Sequence, residues 1–394
     1  MTSKATFEKV TFDGKPPPGV INLGIGQPSD DLLPVNLLKA ASDNFLNVAH
    51  PQELNYGEKQ GDIRFRESLA AFLCTSYGTD ATPESLLLTC GNSQALDFIC
   101  ERFTRPGDTV FVEEPTYFLA FRIFRDHGLQ IVPLPMDRDG LVIEALEDAL
   151  KITKPRLLYT IPSFSNPGGQ TLSAERRERL VDLSREHDFM IAADEVYQML
   201  PYFGEVPPAL GTMIDRGNVL SMGTFSKIMA PGLRLGWLQA PDHLMEIALD
   251  SGWVNSGGSV NHITSHIVRH AIDMGLQESF IGTLQDTYRG RVEAMHQSLR
   301  EHLLEYAHWE RPNGGYFFWL ELKEGVDAKE LRKNAFDYGI GFQPGEVFSS
   351  NGDFKNYLRL SFAHYNQEEI HQAIPRLAKL LQSSPFFDLP VARY

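Results

Sequence analysis

The chain predicts an α/β fold: a large domain on a mainly parallel seven-stranded sheet covered by helices, with a smaller α+β domain beside it. Three observations predict it. Short apolar runs alternate with helix-length amphipathic segments through the middle of the chain, the pattern of a parallel sheet covered on both faces. After about residue 285 this alternation gives way to a long charged helix and segments that read as antiparallel strands. The 394 residues are 42% hydrophobic, enough for a core larger than that of one average domain.

In chain order, residues 1–45 are expected to form an arm and part of the small domain. The start, "MTSKATFEKVTFDGKPPPG", lacks the apolar stretch of a secretory signal and reads as an arm. The large domain is expected over 46–285. There "SLLLTC" is a strand, followed by the helix "GNSQALDFICERF", where Leu96, Ile99, Cys100 and Phe103 keep helical spacing. "DTVFVEE" is a strand, and Pro115 turns the chain into the helix "YFLAFRIFRDHG". "LQIVPLP" is a strand, "MDRDG" a turn and "LVIEALEDALK" a helix. "RLLYTIP", "FMIAADE" and "NVLSMG" are further strands, the first two separated by the helix "SAERRERLVDLSREHD". The small domain, 286–394, opens on the charged helix "LQDTYRGRVEAMHQSLREHLLEYA" and continues with "GGYFFWLEL", "IGFQPGEVF" and "NYLRLSFA" as strands.

Charge and cysteine usage narrow the function. A formal net charge of −15 argues against nucleic acid or an anionic membrane as partner, so any anion site must be built locally. No stretch reaches the roughly 18 apolar residues of a membrane span. Three cysteines, Cys74, Cys90 and Cys100, without short paired spacing fit a reducing, cytoplasmic setting and exclude a cysteine-rich zinc site; no metal is expected.

In open α/β sheets, ligands sit beyond the carboxyl ends of the strands. Here five successive strand ends are polar or glycine-bearing. They are Gly91-Asn92-Ser93-Gln94, Pro115-Thr116-Tyr117, Ser163 to Gly169 with Asn166, Asp194-Glu195 with Tyr197, and Thr224-Phe225-Ser226-Lys227 followed by Arg234. Singly each has a plain reading. "GNSQ" is a helix cap, "SNPGG" a tight turn, Asp194 another cap and Tyr117 a core aromatic. Arg359, in the alternating strand "YLRLSF", reads alone as an exposed strand face. The early "GIGQPS" lacks the third glycine of a dinucleotide loop and leads into no helical pattern.

Together they meet one chemical specification. A lysine at a strand end, partly desolvated and near an arginine, keeps its amine free to form a Schiff base with an aldehyde. An aspartate on the adjacent strand pairs with a protonated ring nitrogen. A helix start with an arginine holds a phosphate. That combination describes pyridoxal 5′-phosphate.

At this point the chain resembles the fold type I, class I/II aminotransferases over nearly its whole length, and most of all their kynurenine/2-aminoadipate branch. The residues that carry the resemblance are "GNSQALD", "EEPTY", "SFSNPGG", "DEVY", "TFSKIMAPGLRLGW", "PNGGYFFW" and "LRLSFA", in the family's order. The resemblance implies that Lys227 is the Schiff-base lysine and proton carrier and that Asp194 pairs with the pyridine nitrogen. It implies that Asn166 and Tyr197 bond the ring oxygen, with Tyr117 stacked on the ring. Ser93, Gln94, Ser226 and Arg234 hold the phosphate, with Thr224 standing where many relatives have serine. Tyr56 in "LNYGEKQG" matches a tyrosine that reaches the partner subunit's phosphate, which implies a homodimer with shared sites. Ile63 stands where proline is frequent. Arg359 matches the arginine that grips the substrate carboxylate. Gly26, the Tyr316–Trp319 strand and "WVNSGGSVN" are candidates for recognising the rest of an amino acid substrate.

The implied reaction moves an amino group from an aromatic, long aliphatic or aminoadipate-like amino acid to a 2-oxo acid such as 2-oxoglutarate. A C–S or related lyase on the same fold shares these residues, and release of ammonia distinguishes it. A regulator that senses an amino acid through the same cofactor is disfavoured by the acidic charge.

Overall fold

The computed structural model describes residues 16–78, 81–257 and 260–386. The arm over 1–15 and the Gly258–Ser259 pair of "WVNSGGSVN" lie outside them. The strands, in chain order, are β1 (Ile21–Asn22), β2 (Leu86–Thr89), β3 (Thr109–Glu114), β4 (Gln130–Asp137), β5 (Gly140–Leu141), β6 (Leu157–Thr160) and β7 (Met190–Asp194). They continue as β8 (Val219–Thr224), β9 (Gly236–Gln239), β10 (Ala307–Trp309), β11 (Phe317–Leu322), β12 (Ile340–Gly341), β13 (Gln343–Pro344) and β14 (Tyr357–Ser361).

The large sheet runs β2-β9-β8-β7-β6-β3-β4-β5. Neighbours from β8 through β7, β6 and β3 to β4 are parallel, while β9 is antiparallel to both strands it lies between. β5 is a two-residue return after the "MDRDG" turn, and without it the sheet has seven strands. β2, β6, β7 and β8 are buried at every position, which is why they read as unbroken apolar runs rather than alternating ones.

β9 is the strand that apolar patterning does not announce, because "GWLQ" is short and follows the lysine turn directly. Its place depends on two glycines. A Cβ on Gly223 would stand 2.0 Å from Trp237 Cζ2, and one on Gly236 would stand 2.5 Å from the Gly223 carbonyl oxygen. The fully buried Trp237 therefore lies across a bare backbone and meets Phe225 edge-on at 5.3 Å.

The second sheet is antiparallel, in the order β10-β11-β14-β13. β1 pairs in parallel with β12, so the start of the described chain is stitched to the C-terminal part. The next helix, Val35–Val48, packs instead on helix His262–Asp273 of the large lobe. Helix Leu276–His302 begins eight residues before its sequence-based start, runs through residue 285, and packs on the last helix, Gln367–Gln382.

Gly223→Ala should lower the unfolding midpoint in urea by the equivalent of about 1–3 kcal/mol, the usual range for overpacking a close-packed core. Gly232→Ala, where nothing lies within 4 Å of the added carbon, is the control and should change the midpoint little.

Candidate active site

The carboxyl ends of β2, β3, β6, β7 and β8 open onto one cleft, closed on its far side by β11 and β14 and by the loop after β1. Lys227 lies in the turn that follows β8. The backbone of this turn is held at two successive carbonyls: the Tyr316 hydroxyl donates to that of Lys227 at 3.3 Å, and Gln277 Nε2 to that of Ile228 at 2.8 Å. Lys227 Nζ donates to the Gly26 carbonyl at 2.9 Å and stands 5.2 Å from the Tyr316 ring centre. Burial, then the nearby Arg359 guanidinium and more weakly Arg234, bring its pKa down to about 8, against the opposing pull of Asp194. The stronger cation is thus Arg359 and not Arg234, the arginine that follows Lys227 in the chain.

Arg359 corrects the exposed-face reading, because it is only 4% exposed. The register of β14 pairs it with Trp319 on one side and Gln343 on the other, in the middle of the sheet. Its Nη1 donates to Asn166 Oδ1 at 2.8 Å and its Nη2 to the Gly24 carbonyl at 3.0 Å. The guanidinium carbon lies 3.9 Å from the Phe317 ring centre and 4.9 Å from that of Phe348. Burial lowers its pKa to about 10, and its Nε is buried without a partner. Gly26 belongs here too: a Cβ would stand 3.1 Å from the Phe317 ring and 3.7 Å from Arg359 Nη2.

Asp194 ends β7 with both oxygens occupied. Asn92 Nδ2 donates to Oδ1 at 2.5 Å and the Tyr159 hydroxyl to Oδ2 at 2.9 Å. Burial raises its pKa, and these hydrogen bonds, the Val196 N–H and Lys227 oppose the rise. Asn92 is thus not a cap of its own helix, and sequence reasoning gives it no role at Asp194 and does not single out Tyr159. The one available signal was a tyrosine inside the buried strand "LLYT", whose hydroxyl needed a polar partner. Tyr197 is buried against Tyr316 at 5.3 Å and Phe317 at 6.1 Å, and the half-buried Tyr117 lies just before helix Phe118–Asp126.

A second focus lies at the start of helix Asn92–Phe103. Gly91 precedes it at φ +92, and the first N–H groups of the helix have no intrahelical acceptor. Arg234, itself left-handed at φ +47, donates to the Cys90 carbonyl at 2.8 Å. A Cβ on Gly91 would stand 3.2 Å from Arg234 Nη2 and 3.5 Å from Thr224 Oγ1. Thr224 Oγ1 bonds Ser226 Oγ at 2.9 Å, so this corner gathers hydroxyls, N–H groups and a guanidinium. Ser93 is exposed beside it, while the Gln94 side chain is turned back, its Oε1 accepting from the Cys90 N–H at 3.0 Å. Tyr56 stands apart, 83% exposed.

The donor set fits pyridoxal 5′-phosphate. An anion cradle, a lysine with depressed pKa, a carboxylate held by neutral donors and a buried, incompletely paired arginine surround one cleft.

The family model for "Aminotransferase class I and II" matches residues 18–377. The chain is 34% identical to the aromatic-amino-acid aminotransferase 1 of Thermococcus litoralis, over 92% of this chain and 88% of that one. Its fold is similar to the kynurenine aminotransferase of Pyrococcus horikoshii, solved with PMP, at TM-score 0.86 and 32% identity over 92% and 91% of the two chains. It is also similar to LysN, the alpha-aminoadipate aminotransferase of Thermus thermophilus complexed with N-(5′-phosphopyridoxyl)-L-leucine, at TM-score 0.84 and 28% identity over 93% and 92%. Site chemistry, fold and relatives agree, and the chain belongs to the class I and II aminotransferases, enzymes whose cofactor is pyridoxal 5′-phosphate.

Proposed function

We propose that this aminotransferase takes aromatic, long aliphatic or aminoadipate-like amino acids as donors and a 2-oxo acid such as 2-oxoglutarate as acceptor, in ping-pong half reactions. We propose also that Lys227 is its covalent anchor and proton carrier. The observation that carries this reading is the Lys227 amine itself: half-buried, its pKa down to about 8, in a cleft that also holds Asp194 and Arg359. The bound cofactor supplies an aldehyde and a ring that withdraws electrons from a substrate carbon. Everything else falls to the protein. Lys227 Nζ takes up and returns the proton at the substrate α-carbon. Asp194, oriented by Asn92 and Tyr159, holds the protonated ring nitrogen. Asn166 and Tyr197 bond the ring oxygen, and Tyr117 covers the ring face. Backbone N–H groups at Asn92 to Gln94, with Ser93, Thr224, Ser226 and Arg234, hold the phosphate.

Arg359 grips the substrate carboxylate with its two Nη groups. The aromatic rings of Phe317 and Phe348 beside it support an apolar or aromatic donor side chain, as do the names of the relatives. Leu46, Val48, Leu54 and Tyr56 are 60–83% exposed and support a homodimer in which Tyr56 reaches the partner's phosphate. The three free thiols support a reducing, cytoplasmic setting. Among the described residues, no helix is long and apolar enough to cross a membrane.

Lys227→Ala should abolish both the visible absorption of the attached cofactor and turnover, whereas Arg359→Ala should keep the absorption and raise the KM for the amino acid about 30-fold or more. Full transamination by Lys227→Ala would overturn the assignment, as would ammonia released in place of a new amino acid. Cofactor capture by the apoenzyme should accelerate about tenfold per pH unit up to a midpoint near 8 and level off above it, because only the neutral amine reacts. A rate still climbing toward the ordinary lysine value would show that Lys227 is not depressed. Leu54→Glu should shift sedimentation from dimer to monomer with loss of activity; a fully active monomer would refute shared sites.

A further inference from the structure

A cluster of nitrogen and oxygen ligands lies where helix His262–Asp273 begins, outside the roles assigned above. His262 and His266 are one turn apart, so their rings share a face of the helix. Their Nε2 atoms lie 3.3 Å apart, and Asp62 Oδ2 is 3.9 Å from His266 Nε2. All three ligand atoms fall within 4.8 Å of one another. For a tetrahedral ion with metal–nitrogen bonds of about 2.0–2.1 Å, neighbouring ligand atoms are about 3.3–3.4 Å apart. The two imidazoles already span such an edge, and Asp62 stands about half an ångström beyond it from His266, so a small side-chain adjustment brings the third ligand in.

The ligands are also held. His266 is fully buried, and its ring stacks on Phe45 at 5.1 Å with planes 12° apart. Asp62 is the N-cap of helix Ile63–Tyr77, where its Oδ1 accepts from the Arg64 and Phe65 N–H groups at 3.0 and 3.3 Å. Those bonds fix the carboxylate with Oδ2 facing His266 at 3.9 Å, where it also accepts from Arg64 Nη2 at 3.0 Å. His262 is half-buried at the mouth, where water can complete the coordination.

We propose that Asp62, His262 and His266 form a site for a divalent transition metal of the zinc class, which fastens the start of helix His262–Asp273 to the start of helix Ile63–Tyr77. Two imidazoles and one carboxylate select borderline metals over magnesium or calcium. The clip joins two segments that border the cleft. Asn261, immediately before His262, sits at φ +52 and donates to the Arg234 carbonyl, and Tyr56 lies six residues before Asp62. The binding is reversible. Arg64 pairs with both Asp62 oxygens, Arg269 is near enough to repel charge on His266, and neither histidine Nδ1 has a hydrogen-bond partner to strengthen its ligand.

The test uses holoenzyme stripped with EDTA and returned to chelator-free buffer. Zn2+ is titrated against a chromophoric chelator, with Co2+ absorption and the thermal midpoint as further readouts. Wild type should bind one Zn2+ per chain, show the strong bands of four-coordinate Co2+, and unfold at a higher temperature with Zn2+ but not with Mg2+. His262→Gln and Asp62→Asn should each weaken Zn2+ binding about tenfold or more and lose the Zn2+-dependent shift. Asparagine keeps the helix cap, so Asp62→Asn separates lost ligation from lost folding. Wild type without Zn2+ uptake, or equal affinity in both variants, would overturn the site.

Discussion

The site depends on two cations sharing one poorly hydrated cleft. Burial disfavours the positive charge of both Lys227 and Arg359, the Arg359 guanidinium adds to this at Lys227, and both pKa values fall accordingly. What keeps them there is a set of neutral or partly negative groups: the Gly24 and Gly26 carbonyls, Asn166 Oδ1 and the faces of Phe317, Phe348 and Tyr316. None of these neutralises a charge. Asp194 is the anion that acts on Lys227, and it is itself bound to Asn92 and Tyr159. The cleft is therefore electrostatically incomplete and suited to a phosphate and a carboxylate brought in by ligands.

Beneath the cleft lies a buried polar layer that sets the loops around it. Arg177 is fully buried and donates to the Pro162 and Leu172 carbonyls at 2.8 and 2.9 Å, to Ser163 Oγ at 2.7 Å and to the Pro208 carbonyl at 2.8 Å. It thus anchors the start of the loop that ends in Asn166. Glu195, next to Asp194, accepts from the Leu210 N–H at 2.6 Å, and Glu113 accepts from Thr160 Oγ1 at 2.5 Å and the Ile161 N–H at 3.0 Å. Burial pushes both glutamates up to about 7, with Arg177 pulling the other way. Such a buried network rigidifies what it connects only because most of its members are paired.

Much of this was legible in the residues, and the gaps have physical causes. The parallel strands β3, β6, β7 and β8 could be read because burial on both faces makes them continuous apolar runs. β9 could not: its position comes from Trp237 lying over Gly223, a contact between elements rather than a pattern within one. Lys227 and Asp194 stood out because a charged residue after a buried strand has few plain explanations. Arg359 did not, since period-two alternation predicts which residues share a face and not whether that face is covered. Asn92 and Gln94 show a further limit. Both open one helix, yet one side chain turns across the sheet to Asp194 and the other back to the Cys90 N–H, a choice made by tertiary partners.

Arg359 also explains why the two lobes must work as one. Its strand belongs to the small sheet, whereas its partners Asn166 and Gly24 come from the loop after β6 and the loop after β1. Both Nη groups are thus held by oxygens from outside the four-stranded sheet, and the Asn166 contact ties β14 to the strand-end loops of the large sheet. The same boundary carries a second tie: the Thr116 N–H donates to the Phe348 carbonyl at 3.0 Å, and Ser350 N–H and Ser349 Oγ donate to Glu114. That tie holds Phe348 against the Arg359 guanidinium, and Phe348 in turn meets Phe118 at 5.3 Å and Trp319 at 5.6 Å. A shift of Phe348 would therefore reach both the Arg359 guanidinium and the Thr116 tie between the two sheets. The setting of Arg359 is in consequence a property of the junction between the two sheets as much as of the residues that touch its guanidinium.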